Sequence, residues 1–323
     1  MSTRSMPNNK KVVLIDTDAG IDDAWAILML LAAAKENRDI NVIGITCVHG
    51  NATVDQISLN VLRTLESCKV EIPVYKGSSS PLIDLDENYK RSWRPFFGTD
   101  GFGCAEHDDA PDLKVIKEEN AIVALDRIVN EHKGEVSLLC LGPLTNIALA
   151  IRTFPCFVQN VKEIIIMGGN YKAVGNTTNC AEFNFHADPE AAYIVLNSAI
   201  KHKVLIPWET CCQVPFSLDW RDNELGACDN KAIELMNRVE QPLRLKPTFV
   251  DWMPCDQLVS AVLLQPEVIT ESEMTHLTVE LHGQYTRGQV VLCRKHILPP
   301  NTLLVKDINK ELFAQLLLKV HNL

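Results

Sequence analysis

What this chain of 323 residues lacks narrows its function before any motif is considered. It has no long apolar run: the longest, Ala24 to Ala34, falls well short of the roughly 20 residues a bilayer-spanning helix needs. The N-terminal stretch MSTRSMPNNKK is polar and carries no apolar signal core, so the chain reads as cytosolic with no membrane partner. Basic residues are outnumbered, 31 against 41 acidic, and the net charge of −10 argues against a nucleic-acid polymer as partner. None of the 11 cysteines, the Cys211-Cys212 pair included, shows the C-x-x-C spacing of a zinc site or the framework of a small disulfide-bonded scaffold. Free thiols in a reducing compartment are the simpler expectation. No Pro/Gly/Ser-rich linker, charge block, internal repeat or low-complexity segment divides the chain, which predicts one domain over residues 11–323 behind a flexible segment 1–10. With 46% hydrophobic and 22% charged residues, that domain can bury a substantial core.

What is present is an alternation. Short β-rich apolar runs recur at Val12–Ile15, Val42–Val48, Val136–Leu141, Val161–Met167 and Val204–Ile206. Between them, Val54, Ile57, Val61 and Leu65 recur at helical spacing, and Ala121 to Ile128 and Ala191 to Leu196 are rich in helix formers. Strands alternating with helices predict βαβ units around a mainly parallel sheet, an α/β fold. Val12–Ile15 is apolar at every position, as expected of a strand covered on both faces. Leu277–Leu281 and Gln289–Cys293 read as a C-terminal hairpin, and Ile308 to Val320 as a last helix with one buried face. The stretch from Gly77 to Asp112 has no clear periodicity, and loops of that length inside a compact domain are usually functional or mobile.

The first strand ends in an unusual concentration of charge, VVLIDTDAGIDDA, with Asp16, Asp18, Asp22 and Asp23 close together. In open parallel sheets ligands bind beyond the carboxyl ends of the strands, which is where these acids fall. Helix capping by Asp22 or Asp23 can occupy one or two of them. Four packed together repel unless a cation compensates, and an all-oxygen set suits calcium or magnesium rather than zinc.

An acid-rich loop after the first strand also fits haloacid-dehalogenase-like phosphatases, but no later acidic G-D-x-x-x-D metal loop follows. The fuller pattern D-T-D-x-G-x-D-D-A, at Asp16 to Ala24, resembles the signature of the inosine–uridine-preferring nucleoside hydrolases. Further motifs of that family follow in order: HGN at His49–Asn51, DGFG at Asp100–Gly103, LGPLTNIA at Leu141–Ala148, MGG at Met167–Gly169, GN at Gly175–Asn176, AEFN at Ala181–Asn184 and DPEAA at Asp188–Ala192. CD at Cys255–Asp256, followed by LVSA, and TRG at Thr286–Gly288 complete the series. Each is weak alone; their order over most of the chain is specific.

The resemblance implies a Rossmann-like fold, a bound calcium ion, a homodimer or homotetramer, and hydrolysis of the N-glycosidic bond of ribonucleosides by attack of a metal-bound water. By position, Asp18, Asp23 and Asp256 match the family's metal-binding carboxylates, and the backbone carbonyl of Leu141 matches a fourth ligand. Asp22, Asn51, Asn176, Glu182 and Asn184 match residues that hold the ribose hydroxyls, and Asp18 also matches the proposed general base. General chemistry agrees, because cleavage of a ribosyl C–N bond builds positive charge on the sugar, which adjacent carboxylates stabilise.

Plainer readings stand beside these roles. AEFNFH fits an extended segment with one buried face. Asp256 after Pro254 fits a helix cap, Asn176 after Gly175 a turn, and GPLTN a helix start with proline in its first turn. Cys255 stands where the best-known branch has histidine, and Phe97 where another histidine is common, so Cys255 is either a proton donor to the leaving base, a wall of the pocket or an inert thiol. Trp252, Phe249 and Tyr171 are candidates for stacking on a nucleobase. The rival from another class is a non-catalytic nucleoside- or ribose-binding protein that keeps fold and metal.

Overall fold

The computed structural model describes residues 10–36, 39–84, 96–107, 109–295 and 297–323, so the expected flexible segment 1–10 lies, apart from Lys10, outside the described residues. In chain order the strands are β1 (Lys11–Thr17), β2 (Ile40–Cys47), β3 (Val74–Lys76), β4 (Ile116–Lys117), β5 (Val136–Cys140), β6 (Glu163–Met167), β7 (Lys203–Ile206), β8 (Phe216–Ser217), β9 (Asp251–Trp252), β10 (Ile269–Thr275), β11 (Leu277–Val279), β12 (Val290–Leu292) and β13 (Thr302–Ile308). The helices that matter below are α1 (Ile21–Lys35), α2 (Val54–Ser67), α3 (Ala121–Glu131), α4 (Thr145–Thr153), α5 (Phe183–Ala187), α6 (Pro189–Leu196), α7 (Lys231–Arg244), α8 (Asp256–Leu264) and α9 (Lys310–Leu317).

Nine strands form one sheet in the order β10-β13-β7-β6-β5-β1-β2-β3-β4. Only the β10–β13 pairing in it is antiparallel. The continuous apolar run of β1 is explained by its place at the centre. Val13 and Ile15 pack into a core with α1, α2, α7, α8 and α9, whereas Val12 and Leu14 pack into a second core with α3, α4 and α6. Covered on both faces, the strand has no solvent side on which a polar residue would be favoured. Helix α1 is apolar almost all round for the same reason, buried from Asp23 to Ala33 between the sheet, α8 and α7. Helix α2 is amphipathic, with Val54, Ile57, Val61 and Leu65 all buried as their spacing predicts, and its Thr53 cap accepts a hydrogen bond from Gln56 N.

The hairpin exists as β11 and β12, with Val279 opposite Val290. The last helix is shorter than its periodicity suggested. Ile308 is the final residue of β13, Asn309 caps α9 by accepting from Leu312 N at 3.0 Å, and residues 318–322 tighten into a 3₁₀ turn. Strand β10 escaped the sequence reading because ITESEMT, at the sheet edge, carries exposed acids in place of an apolar run. No helix among the described residues is long and apolar enough to cross a membrane.

Candidate active site

The parallel strands deliver their carboxyl ends to one edge of the sheet. There Asp18 follows β1, His49 to Asn51 follow β2, Leu141 follows β5 and Gly168 to Asn170 follow β6. They surround a cleft of about 840 Å³ whose lining includes Asp18, Asp22, Asp23, Asn51, Glu182 and Asp256. Leu141, Asn176, Asn184 and Cys255 line it too, so the residues that the resemblance matched to metal and ribose contacts, and Cys255, meet at one cavity.

The acid loop owes its shape to its own hydrogen bonds. Thr17 Oγ1 donates to Asp23 Oδ1, and the Gly20 amide donates to Asp23 Oδ2 at 2.8 Å, so Asp23 does serve the first turn of α1 as well as facing the cleft. Asp18 points the other way, accepting from the Asn51 amide at 2.8 Å. Its carboxylate is pressed between two glycines: a Cβ on Gly50 would stand 2.1 Å from Oδ2 and one on Gly142 2.6 Å from Oδ1. These close approaches account for the glycines of HGN and LGPLTNIA. Behind them, Asp16 accepts from Thr46 Oγ1 at 2.5 Å and Asn146 Nδ2 at 2.8 Å, which ties β1 to β2 and to α4. In GPLTN the helix begins at Thr145 with Leu144 at its cap, so Pro143 precedes the first turn.

Across the cleft, Asp256 is the first residue of α8 and caps nothing: the cap position is Cys255, without a side-chain cap bond. Carboxylate oxygens of Asp22, Asp23 and Asp256 all lie within 4.8 Å of one another, and Asp256 Oδ1 is buried with no hydrogen-bond partner. Asp18 is outside this trio but feels it electrostatically. The donor set fits a hard divalent cation, with oxygen atoms only, one of them orphaned where water cannot satisfy it. The Leu141 carbonyl accepts from Asn184 Nδ2 at 2.7 Å and keeps a second lone pair.

AEFNFH is helical, not extended. Glu182 caps α5, accepting from Asn184 N at 2.9 Å and Phe185 N at 3.2 Å, and it also takes the Gly169 amide at 2.6 Å. The alternation of Phe183 and Phe185 with polar residues misled the extended reading, because the capped turn holds both Asn184 and Phe185 buried. Asn176 stands exposed on the loop after β6; Asn170 pins that loop by donating to Val174 O at 3.1 Å and Cys180 O at 2.7 Å. The DGFG turn holds Gly101 at φ +68°, a conformation that favours glycine, and Asp100 Oδ1 accepts from the Phe102 and Cys104 amides. Phe97, just before it, lines the cleft together with Phe249 and Trp252, whereas Tyr171 is not among the lining residues.

Crowding raises the proton affinity of the acids. Burial first, and the charge of Asp23 next, push Asp18 well up and Asp22 to about 8; burial takes Glu182 and Asp16 to about 7. Burial and the charge of Asp22 hold Asp256 well above the usual carboxylate range. The Cys211 thiol hydrogen-bonded beside Cys255, together with burial, holds Cys255 well above an ordinary thiol. Two participants escaped the sequence reading. Cys211 had only its neighbour Cys212 to mark it, and Glu240 sits in α7 at a position that nothing in the local pattern distinguishes.

A mainly parallel α/β sheet whose central strand ends in buried carboxylates, opposite a wall of aromatic rings, makes a cleft with an acidic end that could hold a cation and a flat apolar end. The chain belongs to the inosine-uridine preferring nucleoside hydrolase family, whose model matches residues 13–315. It is 30% identical over 282 residues to the non-specific ribonucleoside hydrolase RihC of Salmonella newport, covering 87% of each chain. It is 40% identical over 195 residues, 60% of this chain, to the probable uridine nucleosidase 2 of Oryza sativa subsp. japonica, and the match spans about half of that relative, 55% of its length. A solved inosine-guanosine nucleoside hydrolase superposes with a TM-score of 0.86 at 30% identity, over 96% of this chain and 98% of the other.

The raised acids make a pH prediction. Asp16, Asp22 and Glu182 bind protons in the folded state up to about pH 7 to 8, while their unfolded counterparts release them near 3.8 to 4.5. The folded chain therefore holds more protons between these limits, and its stability falls as pH rises through them. Thermal melts of chelator-treated protein should show Tm dropping from about pH 5 to about pH 8, with saturating calcium reversing much of the loss. A metal-free Tm that rises over this range contradicts the burial of the cluster.

Proposed function

We propose that the protein is a ribonucleoside N-ribohydrolase, one domain over residues 11–323, that hydrolyses the N-glycosidic bond of ribonucleosides to ribose and free base with calcium at the acid cluster. The observation that carries this reading is the trio of Asp22, half-buried, with buried Asp23 and Asp256, beside Asp18, with one Asp256 oxygen left unpaired. Family membership and the likeness to nucleoside hydrolases along nearly the whole chain support it. In this reading Asp18, Asp23, Asp256 and the Leu141 carbonyl hold the cation, which when bound supplies Lewis-acid polarisation of water and sugar oxygens.

The remaining chemistry belongs to the chain. Asp18, braced by the Asn51 amide and two glycines, takes a proton from water as the water oxygen bonds to C1′. The electron pair of the breaking C1′–N bond leaves with the base, which departs carrying a proton. Asp22, Asn51, Asn176, Glu182 and Asn184 hold the ribose hydroxyls, so binding energy from the sugar keeps C1′ at the carboxylates. The base lies toward Ile21, Trp25, Phe97, Phe249 and Trp252, all of which line the cleft. Cys255 borders that side as proton donor or wall. The relatives are named for uridine, for inosine and guanosine, or as non-specific, so base preference is a matter for this chain's own pocket. We also assign it to the cytosol as a homodimer or homotetramer; eleven free cysteines support the reducing compartment.

Incubation with a nucleoside panel and chromatography of products should yield free ribose and free base, with 2′-deoxynucleosides about 10⁴-fold poorer, since a buried group built for a hydroxyl is left unpaired without it. Equal efficiency on inosine and 2′-deoxyinosine refutes the ribose assignments, and binding without products at all points to a non-catalytic protein. Asp23→Asn should lose calcium and activity together, while Asp18→Asn should cut kcat by about 10²–10⁴; full turnover by chelator-stripped enzyme rejects both roles. Cys255→Ala should slow inosine or uridine hydrolysis yet spare a p-nitrophenyl riboside, whose phenolate leaves unaided, with calcium content unchanged. Equal losses on the two substrates leave Cys255 as a wall of the pocket, and no loss on either makes it an inert core thiol.

A further inference from the structure

The acid trio poses a mechanical problem: Asp22 and Asp23 stand on α1, Asp256 starts α8, and like charges push the two segments apart. The helices pack on each other and Ser260 Oγ donates to Ala26 O at 2.8 Å; beside the acids, a buried carboxylate joins the two segments through their tryptophans. The indole Nε1 of Trp25, two residues after Asp23, donates to Glu240 Oε1 at 2.6 Å, and that of Trp252, four residues before Asp256, donates to the same oxygen at 3.1 Å. Glu240 Oε2 accepts from Arg221 Nε at 2.7 Å. The two indoles meet edge to face with ring centres 6.1 Å apart, and the Arg221 guanidinium lies 5.0 Å over Trp25. All four side chains are buried, none more than 4% exposed. Arg221 Nη2 is left without a hydrogen-bond partner, so the cluster is an inefficient way to gain stability. What it does fix is the placement of two indoles, one on each acid-bearing segment.

We propose that Glu240 is a positioning residue for the cation site: by accepting from Trp25 and Trp252 at once, anchored by Arg221, it holds Asp22 and Asp23 against Asp256 before any ion arrives. The proposal rests on the proposed reading of the acid cluster as a cation site, in which Asp23 and Asp256 are ligands and Asp22 stands beside them. Glu240 borders the cleft, but both its oxygens are taken by Trp25, Trp252 and Arg221, so in this proposal it acts through the two tryptophans. Glu240→Gln keeps the shape but turns an amide N–H₂ toward a donor, either Arg221 or the indoles, and so loosens one side of the node. Trp252→Phe keeps most of the ring and removes a single N–H, a milder change that should leave the fold standing.

The test is calorimetric titration of calcium into chelator-stripped full-length protein, with thermal melts run with and without calcium. Wild type should bind calcium; Glu240→Gln should bind it about tenfold more weakly, the lower end of what outer-shell partners of a metal site are worth. Trp252→Phe should shift affinity in the same direction by less, and in both variants the calcium-induced rise in Tm should shrink. If Tm falls equally with and without calcium while affinity is unchanged, the node is a core strut and the proposal is overturned. Should Glu240→Gln not fold, an unchanged affinity in Trp252→Phe overturns it alone. Wild type that binds no calcium removes the cation site itself, an outcome distinct from a variant that binds as well as wild type.

Discussion

Mutual repulsion of carboxylates crowded together, most of them buried, at the end of β1 is the constraint around which this structure is arranged. Each charge buried at the end of β1 would be costly without partners, and the partners present are short and local. Backbone amides of Gly20 and Asn51 face Asp23 and Asp18, Thr17 serves Asp23, and Thr46 and Asn146 serve Asp16. Two helices, α1 and α8, start at the cluster and turn their positive ends toward it. These devices reduce the cost without cancelling it, which is why the acids retain protons well above their ordinary range. The remaining imbalance is one that a cation at the cluster would relieve.

The same constraint fixes details that otherwise look incidental. Glycine at positions 50 and 142 lets two loops close on Asp18, and any side chain there would displace the carboxylate. Glu182 has three backbone amides converging on it, so its capping duty also immobilises it at the edge of the cleft. The capping and functional readings of Asp23 and Glu182 are therefore not rivals: a carboxylate that closes a helix turn is held rigidly for whatever else it faces. Asp256 differs, since it caps nothing and keeps an unpaired oxygen.

How much of this was legible follows from what each signal depends on. The central strands and α2 were readable because burial on both faces, or on one helical face, leaves a direct imprint on apolar spacing. Residues 181–186 misled because a capped turn and a strand can share the same short alternation, and only the Glu182 cap decides between them. Ile308 was drawn into the last helix because its spacing matches, although Asn309 starts the helix after it. The site residues on loops came from ordered motifs, not periodicity. Glu240 was invisible: its partner Trp25 is 215 residues away, Trp252 is 12 residues on and beyond helical spacing, and a polar residue on an amphipathic helix ordinarily means solvent.

Why such a cluster suits bond cleavage better than simple retention follows from its charge. A ribonucleoside is neutral, so carboxylates near C1′ gain little from it in the ground state. As the C–N bond breaks, positive charge grows on the sugar, and the same carboxylates, already fixed by amides and helix ends, interact with it strongly and without reorganising. In the proposed function, the four acids Asp18, Asp22, Asp23 and Asp256 would outnumber the two charges of a calcium ion and so leave negative potential for the sugar. An interaction that strengthens only along the reaction coordinate lowers the barrier, not the dissociation constant. In the proposed function the energetic cost of crowding acids at the end of β1 is thus offset mainly at the transition state, which is the arrangement a hydrolase needs and a binding protein does not.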